Sequence, residues 1–485
     1  MTGRKINNHG KFSMNSQKRS DLRPFFEPGA IAIIGSFREP TGLGYGVIKN
    51  MLHFGFKGNI YPINPSFSEV RGLKAYSAVN QVAGPIDLAI VITPPPTVPA
   101  IIEQCAQKGV KAALVVSENF AEAGEGGARL QQQLKDIAHR TGIRIMGPNT
   151  IGLFNTANGL VTTPYLITHD RIRKGSIAYC SQSGFVSVHG QPLEDRAYPI
   201  SKMCDIGNKC DIDEVDVLDY LADDSETKIV AMHLEDVKNG RRFMDAARKV
   251  VARKPLLILK SGRTEAGARA SASHTGSLAG NEQVYDNAIK QVGAIRVNTW
   301  QEFWEVPKVF AYQPLPKGNR IAIITLTGGA GVVGVDAAIE AGLAITSFSD
   351  STSDKLMKMS PRLASNPVDI SPVASVADNP LTIMEETIAA ALKDTNVDCA
   401  TIVLAAGQEA FTPLIIQMLE RLMQHFSKPV TIWIYGMKFS TMLDMSRQLE
   451  ARGLPTYFEL ETAIKALAIA ASYSKIKLDL AHDVS

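Results

Sequence analysis

Short apolar runs alternate with longer stretches of helical periodicity along the chain. Five such runs occur in the first part of the sequence, at residues 31–35, 59–63, 87–93, 112–117 and 143–146. A second and a third series follow, at residues 176–180, 228–234 and 255–260, then 320–326, 399–405 and 429–435. Continuous apolar runs of this length are typical of buried parallel strands. The pattern therefore predicts an α/β protein of three consecutive doubly wound domains.

Turn-forming residues indicate where these domains meet. The first boundary follows the sequence GPNT at 147–150, and a proline-containing stretch at 313–319 forms the clearest linker. The predicted organisation is a mobile tail at 1–22, domains at 23–150, 151–312 and 320–475, and a C-terminal tail at 476–485. The first tail lacks the apolar segment of a secretory signal, whereas its basic, serine-containing character leaves a transit peptide open.

Composition excludes several classes of protein. Hydrophobic residues make up 45% of the 485 residues, and 51 Lys and Arg nearly balance 48 Asp and Glu, which disfavours disorder and nucleic-acid binding. The five cysteines are odd in number and form no CxxC pair, so neither a disulfide framework nor a metal site is expected. No apolar run reaches the roughly 18 residues of a membrane helix. We expect a cytoplasmic protein without membrane contact.

The first apolar run leads into a glycine-rich turn. The sequence GSFR at 35–38 is followed by GLGYG at 42–46 and then by helical periodicity, an arrangement that suits a nucleotide-like ligand near a helix N-terminus. The spacing is not GxGxxG, and the second run ends in Asn64-Pro65 rather than the Asp or Glu that binds an NAD ribose. A nicotinamide-dependent oxidoreductase is therefore disfavoured. The glycines could also serve only to shape a tight turn.

Two further strand-to-helix junctions carry small residues. Ser181-Gln182-Ser183-Gly184 follows the run at 176–180, and Gly328-Gly329-Ala330-Gly331 precedes a helical stretch at 335–341. Small side chains leave backbone N–H groups accessible to an anion at a helix N-terminus. These segments predict two phosphate sites, although each could be a plain glycine turn.

His274 is the candidate nucleophile. It lies in the sequence SASHTGS at 271–277, whose small polar residues predict a mobile loop and an accessible imidazole. A histidine can accept a phosphoryl group on one ring nitrogen while a carboxylate orients the other. Glu235, directly after the run at 228–234, is the candidate carboxylate, whereas His233 is expected to be a packing residue. A solvated bystander histidine and an ordinary strand-end acid are the alternatives.

The ordered set of motifs resembles the α subunits of the NDP-forming acyl-CoA synthetases, a family that includes ADP-forming acetyl-CoA synthetase and succinyl-CoA synthetase. The resemblance extends from about residue 25 to residue 470. Its most specific marks are SGR at 261–263, ASHTGSLAG at 272–280 and GNKCDID at 207–213. It implies a Rossmann-like CoA-binding domain followed by two flavodoxin-like ligase domains.

The resemblance also implies site residues. Those matching the family's CoA site are Gly35, Ser36, Phe37, Arg38, Asn64, Pro65, Ser66, Ser117, Glu118 and Asn119. His274 matches the phosphorylated histidine, and Glu235 the glutamate that orients it. The phosphate would be held at Ser183, Gly184, Gly328, Gly329, Ala330 and Gly331. The sequence NPVD at 366–369 matches a family element whose role the residues do not reveal.

The implied activity is an acid–thiol ligase that converts a small carboxylic acid, CoA and ATP to acyl-CoA, ADP and phosphate. The chain lacks a stretch resembling the ATP-grasp domain, so we expect a β-type ATP-grasp partner in a hetero-oligomer, carrying ATP with Mg²⁺. A non-catalytic CoA-binding regulatory or scaffold protein is the alternative. Asp236 replaces a glycine usual in the family, and Phe185-Val186-Ser187 replaces smaller residues, which makes an acid other than acetate plausible. ATP and GTP are not distinguished.

Overall fold

Parallel β-sheets organise both compact units of the chain. The computed structural model describes residues 21–170, 172–186, 193–196, 198–275, 281–407 and 410–482, without the side chains of residues 194, 271–275 and 480–482. One unit comprises the described residues before 193 together with 200–296, and the other comprises those of 193–199 and those from 297 onward. Most of the predicted N-terminal tail lies outside the described residues.

The first sheet of the first unit corresponds to the predicted first domain. Its strands and an adjacent hairpin are β1 (Ala30–Gly35), β2 (Asn59–Ile63), β3 (Glu69–Val70), β4 (Leu73–Lys74), β5 (Leu88–Ile92), β6 (Ala112–Val115) and β7 (Arg144–Met146). The helices are α1 (Arg23–Phe26), α2 (Leu43–His53), α3 (Val98–Lys108) and α4 (Glu125–Thr141), with 3₁₀ turns at Val79–Gln81, Pro95–Thr97 and Ala121–Ala123. Five strands pair in parallel in the order β2-β1-β5-β6-β7, and β3 and β4 form the antiparallel hairpin.

The next sheet has seven strands. They are β8 (Leu153–Asn155), β9 (Leu160–Val161), β10 (Lys174–Ser181), β11 (Ile200–Asp205), β12 (Ile229–Leu234), β13 (Leu256–Lys260) and β14 (Ile295–Val297). The helices in this part of the sequence are α5 (Leu193–Arg196), α6 (Glu214–Asp223), α7 (Gly240–Val251), α8 (Glu265–Thr275) and α9 (Glu282–Gln291). The order is β14-β13-β12-β10-β11-β8-β9, with β8 antiparallel to β11 and to β9.

The last sheet belongs to the second unit. Its strands are β15 (Arg320–Thr325), β16 (Ala344–Ile345), β17 (Val368–Asp369), β18 (Cys399–Ala406), β19 (Val430–Gly436) and β20 (Thr456–Tyr457). They pair in parallel in the order β16-β15-β18-β19-β20, with β17 added to β15. The helices are α10 (Trp300–Glu305), α11 (Pro307–Tyr312), α12 (Gly328–Glu340), α13 (Asp350–Met359), α14 (Ser371–Ala374), α15 (Pro380–Lys393), α16 (Thr412–His425), α17 (Phe439–Glu450) and α18 (Leu460–His482), with a 3₁₀ turn at Pro361–Leu363.

The apolar runs of the sequence correspond to strands that are buried in the sheets. Each of the eleven predicted runs forms a strand, and the central strands β1, β6, β12 and β13 are buried along their whole length. Strand β11 was not predicted because Lys202 interrupts its apolar run. The Lys202 side chain is nevertheless buried, and its Nζ donates to Asp224 at 2.7 Å. A buried charge that is paired in this way is compatible with a central strand.

A buried charge cluster lies in the second unit. The Lys308 ammonium is 2.6 Å from a carboxylate oxygen of Glu305 and 2.9 Å from one of Glu450, and it also donates to the carbonyl oxygen of Thr456 at 2.6 Å. All three ionised side chains are almost inaccessible to solvent. Burial alone would lower the pKa of Lys308, but the two carboxylates outweigh burial and raise it. Lys308 therefore holds together two acids that could not be buried without it.

The segment 193–199 belongs to the second unit, although the strands before and after it, β10 and β11, belong to the first. The Tyr198 hydroxyl donates to Glu305 at 2.7 Å, and the Arg196 guanidinium lies 3.5 Å from the same carboxylate. Arg447 also forms an ion pair with Asp195. Polar contacts to the buried cluster thus hold the described residues of this segment.

Candidate active site

Backbone hydrogen bonds close the turn that follows β1. The amide of Gly44 donates to the carbonyl oxygen of Ser36 at 3.0 Å, and the amide of Gly42 donates to that of Arg38 at 2.5 Å. A Cβ atom at Gly42 would lie 2.6 Å from the Ser36 oxygen, so the turn needs glycine there. Helix α2 begins at the next residue, and its N-terminal end favours an anionic ligand.

Asn64 occupies the end of β2, where a dinucleotide-binding domain would use an acidic residue. Its Nδ2 donates to the carbonyl oxygen of Gly35 at 2.8 Å, and its Oδ1 accepts from the amide of Ser66 at 2.9 Å. These bonds join the ends of β1 and β2. The side chain therefore braces the turn and offers no carboxylate to a ribose.

Two neighbouring cavities lie at the carboxyl ends of the first sheet, and both are lined by Ile92, Thr93 and Pro94. Seven of the ten predicted CoA-site residues line them: Gly35, Ser36, Asn64 and Pro65 the larger one of about 460 Å³, and Ser117, Glu118 and Asn119 the smaller one of about 340 Å³. The structure thus brings together turns that follow five different strands, as expected where parallel strands end.

The other three predicted residues lie outside both linings. The Phe37 ring is buried and packs edge-on against Phe67, with ring centroids 5.9 Å apart, so the side chain belongs to the core. Arg38 and Ser66 are exposed beside the larger cavity's turns.

The smaller cavity also contacts the second sheet. Thr150 and Ile151 line it, and the amide of Ile151 donates to the carboxylate of Asp205 at 2.9 Å. A Cβ atom at Gly184 would lie 2.1 Å from Cδ1 of Ile151, which places the predicted phosphate segment directly behind this wall. The predicted CoA and phosphate segments of the first unit are therefore neighbours.

Glu235 follows β12, as predicted, and only 8% of the residue is exposed. Its backbone amide donates to Oε1 of Gln182 at 3.0 Å. Because β10 and β12 are paired in the sheet, the ends of these strands bring Glu235 beside the Ser181–Gly184 turn. Residues 182–186 form a bend and a turn rather than the start of the predicted helix, and residues 187–192 lie outside the described part of the chain.

His274 lies in the last turn of α8, and its side chain lies outside the described part of the structure. The prediction of a loop is wrong for residues 271–275, which continue this helix. Alanine at 266, 268, 270 and 272 favours helix strongly, and this propensity outweighs the small polar residues between them. Residues 276–280 lie outside the described residues.

The predicted phosphate segment of the second unit forms the first turn of α12, which begins at Gly328. No side chain caps this turn, and a Cβ atom at Gly329 would meet no atom within 4 Å. Thr325 Oγ1 accepts from the amide of Thr327 at 2.9 Å and fixes the approach of the chain. The first turn therefore presents accessible N–H groups at the positive end of a 13-residue helix.

The NPVD element at 366–369 has a structural role within the same unit. Asn366 donates to the carbonyl oxygen of Ile321 at 2.8 Å and to that of Thr346 at 3.0 Å, so it joins neighbouring chain segments. Asp369 lies behind the phosphate segment, because a Cβ atom at Gly328 would be 3.0 Å from its carboxylate. The element thus supports the start of α12.

Two family models match the chain. Residues 29–156 match a CoA binding domain, and residues 174–310 match a succinyl-CoA ligase-like flavodoxin domain. The alpha subunit of ADP-forming acetate–CoA ligase I from Pyrococcus furiosus is 35% identical over 465 residues, which are 94% of this chain and 98% of that protein. The alpha subunit of ligase II from the same organism is 40% identical over 379 residues, covering 77% of this chain and 80% of the relative.

The chain belongs to the ADP-forming acyl-CoA ligase family. A solved relative is acetyl-coenzyme A synthetase 1 of Ca. Korarchaeum cryptofilum in complex with phosphate and ADP, with a TM-score of 0.85 and 31% identity over 96% of this chain and 99% of that one. This similarity confirms the predicted fold class of a CoA-binding domain followed by flavodoxin-like ligase domains.

Within the described ranges of this ligase-family chain, no helix is both long and apolar enough to cross a membrane. The same residues contain no cluster of three or more His, Cys, Asp and Glu side chains arranged for a metal ion. All five cysteines are described, and each is a buried free thiol.

The end of β12 contains a buried polar residue that the sequence pattern assigned to packing. His233 is buried in β12 and is hydrogen-bonded through Nδ1 to Ser181 Oγ at 3.0 Å and through Nε2 to Ser261 Oγ at 2.6 Å. It therefore links the Ser181–Gly184 turn to the segment that leads into α8. All six residues of β12 are buried, so the strand has no alternation of polar and apolar positions. The sequence pattern therefore could not show that His233 links two serines.

Burial of neutral His233 should make the stability of the protein depend on pH. Burial and the nearby Lys260 charge lower the pKa of His233 to about 3, below the ordinary 6.5. Below pH 6.5 the imidazole of His233 is protonated in the unfolded chain but stays neutral in the folded protein. The free energy of unfolding therefore falls by up to roughly 1.4 kcal/mol for each pH unit. A His233→Gln variant should cost about 2 kcal/mol at pH 7.5, where two hydrogen bonds are lost, and much less at pH 5.

Urea unfolding followed by circular dichroism at both pH values measures this difference. Because glutamine does not titrate, the stabilities of the variant and the wild type should converge as the pH falls. A difference that stays constant between pH 7.5 and pH 5 would show that folding does not lower the pKa of His233.

Proposed function

We propose that this chain is the CoA-binding, histidine-phosphorylated subunit of an ADP-forming acid–CoA ligase. Relatives named as alpha subunits of acetate–CoA ligases support an enzyme over a non-catalytic sensor or scaffold. One observation carries the proposal: the cavities lined by the predicted CoA residues extend to Ile151, which contacts Gly184 in the turn beside Glu235. The CoA sulfur could thus reach the segment where the acyl phosphate is held.

The reaction would proceed through three transfers. In the first, a ring nitrogen of His274 attacks the γ-phosphorus of ATP, a nitrogen–phosphorus bond forms, and ADP leaves. In the second, a carboxylate oxygen of the acid attacks the same phosphorus, which releases neutral histidine and gives an acyl phosphate. In the third, the CoA sulfur attacks the carbonyl carbon, phosphate leaves, and the thiol proton passes to the departing phosphate.

The chain's own groups would stabilise the charges of these steps. The amides of Gly328, Gly329 and Ala330 in the first turn of α12 are suited to a phosphoryl group, and so is the backbone of Ser183 and Gly184. Glu235 would accept a hydrogen bond from the second ring nitrogen of His274 and balance the positive charge of the phosphorylated ring.

The nucleotide would be supplied by a partner. The names of the two Pyrococcus furiosus relatives as alpha subunits imply further subunits in those proteins. We propose an ATP-grasp subunit of the β type that binds ATP with Mg²⁺, the ion screening the phosphate charges when the nucleotide is bound. The proposed hetero-oligomer would then present the γ-phosphate to His274.

The substrate would be a small carboxylic acid. Asp236 had suggested an acid other than acetate, but its carboxylate bonds to Lys209 Nζ at 2.5 Å and to Gln182 Nε2 at 2.7 Å. It is therefore engaged within the protein. Phe185, next to Gly184, is half exposed and is the better candidate for a side chain that contacts the acyl group.

CoA, rather than NADH, should bind to the first domain. Isothermal titration calorimetry is expected to detect CoA binding by the wild type, and Arg38→Glu should weaken it at least about tenfold because a phosphate-facing cation becomes a repelling anion. Arg129→Glu makes the same charge change on α4, outside both cavity linings, and should leave the affinity unchanged. Binding of NADH without binding of CoA would contradict the assignment.

Ligase turnover should require the partner. Incubated with ATP, CoA and a panel of small acids, the purified chain is expected to release no ADP, because the nucleotide site is proposed to lie on the ATP-grasp subunit. Addition of that subunit should restore turnover and identify the preferred acid. A coupled assay measures ADP directly. Sustained ADP formation by the chain alone would disprove the proposal that the nucleotide site lies on the partner subunit.

A further inference from the structure

Three turns meet where the parallel strands β10, β11 and β12 end. They carry Gln182, Lys209 and the pair Glu235 and Asp236. Neighbouring strands in this sheet are β11, β10 and β12 in that order, so residues far apart in sequence become close. Asp236 lies at the point where the three turns contact one another.

Gln182 connects Asp236 to the turn that contains Ser183 and Gly184. Its Nε2 donates to the Asp236 carboxylate at 2.7 Å, while its Oε1 accepts from the amides of Glu235 at 3.0 Å and of Asp236 at 3.2 Å. Both ends of the amide are therefore used. Any rotation of Gln182 would release the backbone of Glu235.

Lys209 connects Asp236 to the turn that follows β11. Its ammonium, 1% exposed, is 3.0 Å from Glu214 and donates to both the carboxylate and the carbonyl oxygen of Asp236, at 2.5 and 3.0 Å. Its backbone is left-handed, with φ 55°, an unfavourable conformation for a lysine. Lys238 donates to its carbonyl oxygen at 3.0 Å. Several interactions thus maintain a strained residue, which is a feature of functional sites.

The charges around Asp236 favour a permanent ion pair with Lys209. Burial would raise the pKa of Asp236, but the charge of Lys209 and the hydrogen bonds from Lys209 and Gln182 hold it below its usual value. Asp236 is therefore ionised in the folded protein at neutral pH. A charge-assisted bond is stronger and shorter than a neutral one, and it therefore restricts the geometry of the turns more tightly.

We propose that the Asp236–Lys209 ion pair is a positioning device that sets the backbone of Glu235 and of the Ser183–Gly184 turn for phosphoryl transfer. Asp236 and Lys209 are positioning residues that act through Glu235 and Gln182 and do not themselves contact the substrate. This inference rests on the proposed phosphohistidine function. It assigns to Asp236 an internal role in place of substrate recognition.

An Asp236→Asn variant tests the proposal, and the chain offers a matched control. Lys202 in β11 forms a second buried ion pair, 2.7 Å long, with Asp224, which follows α6, and Lys202 lies away from the turn that carries Lys209. Asp224→Asn should therefore destabilise the fold to a similar extent without changing the site. Each variant is compared with the wild type in the complex with the ATP-grasp subunit.

The measured quantities are the rate of His274 phosphorylation from labelled phosphate and the acyl-CoA of the acid preferred in the panel assay, the CoA affinity, and the melting temperature. Asp236→Asn should slow labelling roughly 10- to 100-fold and leave the CoA affinity within about twofold, since a misplaced catalytic group loses on the order of a hundredfold in rate. Asp224→Asn should label at nearly the wild-type rate.

Normal labelling by Asp236→Asn, or equal slowing in both variants at a temperature where both are folded, would overturn the positioning role. Loss of CoA affinity in step with the rate would also overturn it, because the effect would then be a general disturbance of the site. A wild-type complex that takes up no label would instead reject the proposed function, and this inference with it.

Discussion

A His274→Ala protein is expected to take up no phosphoryl label from phosphate and the matching acyl-CoA. In the reverse reaction, phosphate attacks the thioester to give an acyl phosphate. This mixed anhydride is reactive enough to phosphorylate the imidazole. Alanine removes the nucleophile, and no other group is proposed to replace it, so both labelling and ligase turnover should fall to background. The label on the wild type should be acid-labile and base-stable, as expected for a nitrogen-bound phosphoryl group.

Two further variants sharpen this experiment. Glu235→Gln should reduce labelling without abolishing it, because the amide oxygen still accepts a hydrogen bond but no longer balances the charge of the ring. His139→Ala removes an exposed histidine of α4 and should label like the wild type. Retained labelling or full turnover in His274→Ala would leave CoA binding as the remaining part of the proposed function. The measurement should be made with and without the ATP-grasp subunit.

Replacement of Lys308 by methionine should destabilise the second unit by about 3–5 kcal/mol. The change leaves Glu305 and Glu450 buried without their shared cation, and removing one partner from a buried ionic group typically costs this much. The melting temperature of the unit should fall by roughly 10 °C, given about 2–4 °C per kcal/mol for a unit of this size. All three tryptophans, at 300, 304 and 433, belong to this unit, so their fluorescence reports its unfolding selectively.

The double variant Lys308→Met, Glu450→Gln tests whether the lost stability comes from buried charge. It removes one of the two acids that lose their shared cation, while Glu305 keeps its contacts with Arg196 and Tyr198. It should therefore recover part of the lost stability, which a simple packing defect would not do. Lys465→Met removes a partly exposed partner of Glu302 and should cost less than about 1 kcal/mol. Equal effects of the buried and the exposed lysine would contradict the assigned role of the buried cluster.

Apolar periodicity predicted the strands well because parallel strands covered on both faces must be continuously apolar. It also placed Glu235 correctly, since a polar residue directly after such a strand lies at the sheet edge where sites form. The start of α12 at Gly328, by contrast, lies seven residues before the predicted helical stretch. Glycine has low helix propensity, so a glycine-rich first turn is not visible in sequence as helix.

The interactions behind the site could not be predicted from the sequence. Lys209 and Asp236 are 27 residues apart, and nothing in either segment shows that β10, β11 and β12 end at one place with these side chains directed toward each other. The same applies to His233, whose two serine partners come from different strands. Spacing along one chain identifies residue types suited to a chemistry, whereas the hydrogen bonds that orient them depend on tertiary pairing.

The assignment of residues 193–199 to the second unit has a consequence for the order in which the chain is synthesised. Tyr198 emerges from the ribosome 107 residues before Glu305, its hydrogen-bond partner. At typical elongation rates of about 5–20 residues per second, Tyr198 waits roughly 5–20 s for Glu305 alone, and Asp195 waits longer for Arg447. During that interval β10 and β11 can pair, but the described residues 193–196 and 198–199 lack the cluster that holds them. The nascent chain should therefore be most open to proteolysis near Tyr198 until translation has passed Glu450.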